Sequence, residues 1–218
     1  MPALRREDLD PDERDIVAVI HDWVGSTVRP VVRELEHDNT YPETLIEAMK
    51  GFGVYGLVIP QEYGGLGVST ACFALVTEEL ARGWMSLAGA MGGHSVVARL
   101  ITSHGTEEQR QRWLPELATG RVRATMALTE AAGGSDLQAI RTVATRTDDG
   151  FTLNGSKTWI SNARHAGVTA VLVKTDVDAV PPSRGVSVLL VEPGPGFTVS
   201  RDLPKLGYKG VESCELVF

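Results

Sequence analysis

Cysteine is nearly absent from this chain: Cys72 and Cys214 are the only two among 218 residues. They lie far apart, and neither sits in a Cys-x-x-Cys or Cys/His ligand spacing, so no metal site is expected and no disulfide is required. Positive charge is in deficit, with 21 Lys and Arg against 28 Asp and Glu. A net charge of −7 provides no basic patch for nucleic acid and favours solubility. No run of about eighteen apolar residues occurs, which excludes a helical membrane span. The stretch Met1 to Asp15 is charged and has no apolar signal segment, so a cytoplasmic protein is the default expectation. The usual nucleotide fingerprints are missing too: there is no G-x-G-x-x-G and no Walker pattern. Internal repeats and low-complexity tracts are absent. With 43% hydrophobic, 22% charged and 6% aromatic residues, what remains is an ordinary globular composition. The chain is long enough for one large domain or two small ones.

The first half reads helical. Ile16, Val17, Ile20, Trp23, Val24 and Val28 recur at helical spacing until Pro30 limits the helix. Tyr41-Pro42-Glu43 opens a second helix with Leu45, Ile46 and Met49 as its apolar stripe, and Gly51 or Gly53 closes it. Gln61 to Gly67 is glycine-rich and reads as a loop. Ser69 can cap a third helix through about Arg82, and an apolar segment follows from about Ser86 to Ser103. Thr106-Glu107-Glu108-Gln109 is a capping box for a helix ending near Ala118, before Thr119-Gly120. The period then changes. Ala124 to Leu128 reads as a strand, Val143 to Leu153 as a hairpin about Asp148-Asp149-Gly150, and Val168 to Lys174 and Val186 to Val191 as β-branched strands. The expected architecture is an all-α domain over residues 1–120, then an antiparallel sheet or barrel-like domain over residues 121–218.

Two stretches carry the functional signal. Ala127-Leu128-Thr129-Glu130-Ala131-Ala132-Gly133-Gly134-Ser135-Asp136 packs hydroxyls, carboxylates and two glycines after a strand. Its glycines allow backbone N–H groups to face a ligand, or the loop is a polar turn bonded only to itself. Asn154-Gly155-Ser156-Lys157-Thr158-Trp159-Ile160-Ser161-Asn162 follows about twenty residues on. Trp159 there is either core filling or an indole lying against a flat ligand. His94 and His104 have no metal or triad partner at suitable spacing and read as structural. Glu78 and Glu79, adjacent on a helix, cannot converge on one bond. They read as a solvated face with one packed member.

At these residues the chain resembles the acyl-CoA dehydrogenase family of flavoproteins. Leu128-Thr129-Glu130 through Gly134-Ser135-Asp136 is similar to that family's first signature loop, and Asn154 through Asn162 to its Gly-x-Lys-x-Trp-Ile-Thr-Asn strand. Tyr63 to Gly67, Gly105 to Leu117 and Leu206-Gly207-Tyr208-Lys209-Gly210 agree as well, in the family's order along nearly the whole chain. The resemblance implies a helical N-terminal domain and a middle β-domain. The family's C-terminal four-helix bundle would be missing beyond Phe218.

It further implies FAD as cofactor. Met126, Ala127, Leu128 and Thr129 would lie along the flavin's pyrimidine side. Trp159, Ile160 and Ser161 would lie against its ring, with Ser161 bonding near N5. Gly134 and Ser135 would reach the pyrophosphate and the pantetheine arm of an acyl-CoA. The helix carrying Ala88, Gly89, Gly92 and Gly93 would floor the acyl pocket. Small side chains at Gly89 and Gly92 either leave volume for a long, branched or bulky acyl group or serve close helix packing. Three departures from the family pattern stand out: Met126 replaces an aromatic, Ala131 replaces a proline, and Ser161 replaces a threonine.

The chemistry implied is α,β-dehydrogenation of an acyl-CoA thioester to the 2-enoyl-CoA. A carboxylate takes the α-proton while hydride leaves Cβ for the flavin. That carboxylate belongs to the family's C-terminal bundle, so no catalytic residue is assigned in this chain, and alone it is expected to be inactive. Electron-transfer flavoprotein is the implied acceptor, and a tetramer or dimer the implied assembly. A non-catalytic assembly subunit of the same fold and an oxidase or monooxygenase relative are the alternatives.

Overall fold

The computed structural model describes residues 5–218, so the first four residues of the charged N-terminal stretch lie outside it. The chain divides into two compact units. The first runs to Val122 and also takes in Lys205–Val211, and the second comprises Arg123–Pro204 and Glu212–Phe218.

The first unit is helical, as its 3.6-residue periodicity predicts. Helix α1 (Pro11–Trp23) starts at Asp10, whose Oδ1 accepts a hydrogen bond from Glu13 N at 3.0 Å. Its stripe Val17, Ile20 and Trp23 is buried and continues through a π-helical turn over Val24–Val28. A short helix α2 (Val32–His37), not expected from the sequence, precedes α3 (Glu43–Gly51), which buries Leu45, Ile46 and Met49. Helix α4 (Thr70–Gly83) begins where Ser69 Oγ accepts from Cys72 N at 3.1 Å. Helix α5 (Met85–His104) follows almost at once. Helix α6 (Glu107–Ala118) has the capping box at its start: Gln109 N donates to Thr106 Oγ1 and Thr106 N to Gln109 Oε1. The Gly64-Gly65 turn is forced by close approach. A Cβ on Gly65 would lie 2.0 Å from the Ile59 carbonyl oxygen, a separation no side chain tolerates.

The second unit holds eight strands: β1 (Ala124–Ala127), β2 (Val143–Thr147), β3 (Gly150–Asn154), β4 (Ser156–Ser161), β5 (Val168–Lys174), β6 (Val186–Val191), β7 (Thr198–Asp202) and β8 (Ser213–Val217). They form two sheets. One has the order β1-β5-β2-β3, with β6 also on β5, and the other is β4-β8-β7. The β2–β3 hairpin pairs antiparallel from Val143↔Asn154, as its turn residues predict. The larger sheet is mixed rather than purely antiparallel, because β1 runs parallel to β5 from Ala124↔Val168. No closed barrel forms among the described residues. Alternation reveals a strand but not its partner. The hairpin inserted between β1 and β5 brings β5 back in the direction of β1. Ala127, Ile160, Val171, Cys214 and Leu216 share the core of this unit.

Among the described residues, no helix is long and apolar enough to cross a membrane. Both cysteines are free and buried. Burial pushes the Cys72 thiol up to about 11 and the Cys214 thiol to about 12, which makes them inert. His94 is fully buried, with Nε2 3.1 Å from the Tyr55 carbonyl oxygen, a structural setting. Glu79 is the packed member of its pair, held by Arg6, His21 and Arg82.

Candidate functional site

The β-unit concentrates its unusual features in the loop after β1 and in strand β4. Between Lys157 and Ile160 the register of β4 against β8 shifts: Lys157 faces Leu216, yet Ile160 faces Cys214. Three steps on one strand against two on the other make a bulge, which breaks the inward–outward alternation. Lys157 and Ile160 therefore both point inward, at 1% and 2% exposure, while Trp159 is pushed out to 56%. Trp159 has φ +61°, a conformation that strains a bulky L-residue and persists only where its surroundings impose it. The indole is not core filling.

A buried ion pair lies at the start of the bulge. Lys157 Nζ donates to Glu130 Oε1 at 2.8 Å and to the Leu128 carbonyl oxygen at 3.0 Å. Glu130 Oε1 also accepts from Thr142 N at 3.0 Å and Thr142 Oγ1 at 2.6 Å, and its Oε2 accepts from Arg141 N at 2.6 Å. Both oxygens of the carboxylate are thereby bonded. Burial alone would raise the Glu130 carboxyl. The ammonium of Lys157, the Thr142 hydroxyl and two backbone N–H groups outweigh it and bring the group down to about 2. Burial lowers Lys157 in turn, opposed by the Glu130 charge.

Two further bonds stitch the same elements. Thr158 N donates to the Thr129 carbonyl at 2.9 Å, and Thr125 Oγ1 donates to the Ser161 carbonyl at 2.6 Å. The loop closes on itself through Glu130 and Gly133, which exchange backbone bonds of 2.9 and 3.1 Å. Asp136 Oδ1 accepts from Gln138 N at 3.1 Å.

The stitching leaves a particular set of groups unused. The hydroxyls of Thr129, Ser135 and Ser161 make no hydrogen bond to any described residue. Gly134 and Ser135 are exposed, and Met126, Leu128 and Thr129 are half-buried. Ala127 and Ile160 turn their side chains into the core, so only their backbone faces outward. Glu130 and Lys157 lie within the two sequence motifs, yet nothing local in the sequence marks them as a pair. The bulge that makes Lys157 an inward position is invisible to a strict alternation.

The helical unit contributes a separate feature. Residues of α4 and α5 with the preceding loop line an open cleft of about 500 Å³, with Val58, Phe73, Met91 and Gly92 among its walls. Gly92 is open: nothing lies within 4 Å of where its Cβ would be. Gly89 is different. A Cβ there would sit 1.6 Å from Tyr208 Oη, so the space beside Gly89 serves close packing and not an open floor. Tyr208 is held in place by its neighbours. Lys205 Nζ lies 4.8 Å from its ring centroid, and Lys209 N donates to Glu36 Oε2 at 2.9 Å.

The family relationship follows from comparison with known proteins. The family model for the acyl-CoA dehydrogenase N-terminal domain matches residues 10–121, and that for the middle domain matches residues 125–218. The (2S)-methylsuccinyl-CoA dehydrogenase of Cereibacter sphaeroides is 38% identical over 192 residues, covering 83% of this chain and 34% of that protein. Mitochondrial isovaleryl-CoA dehydrogenase of Pongo abelii is 34% identical over 215 residues, 96% of this chain and 51% of that protein. A solved acyl-CoA dehydrogenase complexed with FAD from Bacillus anthracis matches with a TM-score of 0.85 at 30% identity, covering 97% of this chain and 36% of that one. The chain thus spans from about a third to about half of the length of these relatives. It belongs to the acyl-CoA dehydrogenase family, whose members bind FAD, and carries that family's N-terminal and middle domains.

Proposed function

We propose that this chain is the holding part of an FAD-dependent dehydrogenase that converts an acyl-CoA thioester to the 2-enoyl-CoA. The observation that supports this best is Trp159. A bulge and a left-handed backbone present its indole to the outside, on the strand that carries Ser161 and whose Thr158 N is bonded to the Thr129 carbonyl. A flat face flanked by hydrogen-bonding groups suits a planar ring with polar edges. The FAD isoalloxazine is such a ring, and when bound it supplies the two-electron acceptor. Met126 and Leu128 would lie along one edge of the ring. Gly134 and Ser135, exposed on their loop, would meet phosphate and pantetheine groups, where backbone N–H groups and a hydroxyl are suitable partners.

The chain's own contribution is binding and orientation. The Glu130–Lys157 pair fixes the loop against β4, so the ring's contacts are in place before it arrives. That lowers the ordering cost of binding. No residue here is assigned as the base. Gly92 leaves room in the helical unit, so the acyl group is inferred to be branched or bulky. Electron-transfer flavoprotein as acceptor, a homo-oligomer and a cytoplasmic setting complete the proposal, although the relatives include a mitochondrial enzyme by name.

The test uses the complete polypeptide from the source gene, reconstituted with FAD. Dye reduction with a series of acyl-CoA thioesters, and weaker retention of the flavin in Trp159→Ala, are expected. Oxygen consumption in place of dye reduction would indicate an oxidase. Stoichiometric FAD binding with no oxidation of any thioester would refute the dehydrogenase reading.

A further inference from the structure

We propose that the helical unit holds a binding site for a phosphate group, in a hollow where α1 packs on α4, with Arg29 and Arg82 as its ionic partners. The site shares no residue with the flavin and acyl readings and stands independently of them.

The hollow has a volume of about 150 Å³ and is lined by His21, Val24, Gly25, Arg29, Glu79 and Arg82. Pockets for drug-sized ligands start near roughly 300 Å³, so this one suits a single small group rather than a whole cofactor. Gly25 makes the room. Nothing lies within 4 Å of where its Cβ would be. It sits in the π-helical turn Val24–Val28 that continues α1, and such turns recur at functional sites.

Charge is the second observation. Glu79 is the only carboxylate among the described lining residues, and both of its oxygens are already used. Oε1 accepts from Arg6 Nη2 at 3.0 Å and from Arg82 Nη1 at 3.1 Å. Oε2 lies 3.0 Å from His21 Nδ1 and 3.0 Å from Arg82 Nη1. Burial would raise this carboxyl, but the bonds from His21 and Arg6 and the charge of Arg82 hold it below its ordinary value, so it stays ionised at neutral pH. Arg82 spends only Nη1 on Glu79, and its Nε and Nη2 make no bond to any described residue. The Arg29 guanidinium makes no hydrogen bond or ion pair to any described residue.

Helix ends account for part of this charge, because the π-helical turn and α4 both end beside these arginines. Each end carries about half a negative charge. Those two ends and Glu79 together offset about two of the three charges on Arg6, Arg29 and Arg82. About one positive charge remains before a protonated His21 adds its own. A phosphate dianion brings several acceptor oxygens, which match the fork of Arg29 and the free N–H groups of Arg82. A neutral or cationic ligand would leave them unpaired.

The experiment titrates the complete, FAD-loaded enzyme with inorganic phosphate by calorimetry at constant ionic strength, with chloride as the control. Wild type is expected to bind phosphate saturably at millimolar concentration. Arg29→Leu is expected to weaken binding about tenfold. Gly25→Leu keeps every charge but fills the hollow, and is expected to abolish binding. Both positions are exposed, and circular dichroism checks that the variants fold. Adenosine 5′-monophosphate is titrated in parallel. Competition between the two supports the site and assigns it to phosphate esters, whereas binding of inorganic phosphate alone supports it and assigns it to the free ion. Heat no greater than that of chloride overturns the proposal. Binding that is unchanged in Gly25→Leu or in Arg29→Leu overturns it as well, since only diffuse ionic attraction would then be present. No thioester is oxidised in this assay, so its failure is separate from failure of the dehydrogenase reading.

Discussion

Lys157→Met isolates the clamp beneath the candidate flavin site. The substitution keeps the length and apolar stem of the side chain and removes its ammonium. Glu130 then stays buried, with its side chain 7% exposed, and loses the partner 2.8 Å away. Breaking a buried pair by removing one member costs about 3–5 kcal/mol. Here the lower end applies, about 3 kcal/mol, because Thr142 N, Thr142 Oγ1 and Arg141 N still bond the carboxylate. The Leu128 carbonyl loses its partner as well, which frees the loop bearing Thr129. The assay is equilibrium urea unfolding of wild type, Lys157→Met, Glu130→Gln and the double variant. Replacing both charges removes the orphan, so the double variant is expected to recover about 2 kcal/mol relative to the sum of the singles. FAD affinity should fall in Lys157→Met and partly return in the double. A cost below about 1 kcal/mol for Lys157→Met, or strict additivity of the two changes, would refute the clamp.

Three further outcomes are expected. The Glu130 carboxyl sits at about 2 in the fold against an ordinary 4.5, so the unfolded chain binds more protons between those values. Stability is therefore full above about pH 4.5 and falls as pH drops toward 2, by about 3 kcal/mol; acid titration of Glu130→Gln should lack that limb. On α5, Gly92→Ala meets no atom within 4 Å and should raise stability by up to about 1 kcal/mol through helix propensity. Gly89→Ala collides with Tyr208 and should lower it by about 1–3 kcal/mol, with thermal melts distinguishing the signs. Trp159→Ala removes an exposed side chain and should leave stability within about 1 kcal/mol. The same change should weaken FAD binding about tenfold, as read by flavin fluorescence.

Much of the helical unit was legible because capping and periodicity are local. Ser69 and the Thr106/Gln109 box place two helix starts within a residue or two. The apolar stripes then decide which faces are buried. The β2–β3 hairpin was legible for the same reason: its turn residues are adjacent in sequence. Both motif stretches could be located, and their order supported the family.

Strand partners and side-chain directions are set by contacts between distant residues, and only tertiary structure decided them. The parallel pairing of β1 with β5 depends on where β5 returns. The bulge in β4 depends on β8, and it alone turns Trp159 outward while Lys157 and Ile160 turn in. The Glu130–Lys157 pair spans 27 residues and appears in no local pattern. Gly89 and Gly92 are the same residue on one helix, yet Tyr208, far along the chain, fills the space beside one and leaves the other open. Local chemistry determined which segments are helix, strand and loop. Long-range packing determined which of their side chains are free to meet a ligand.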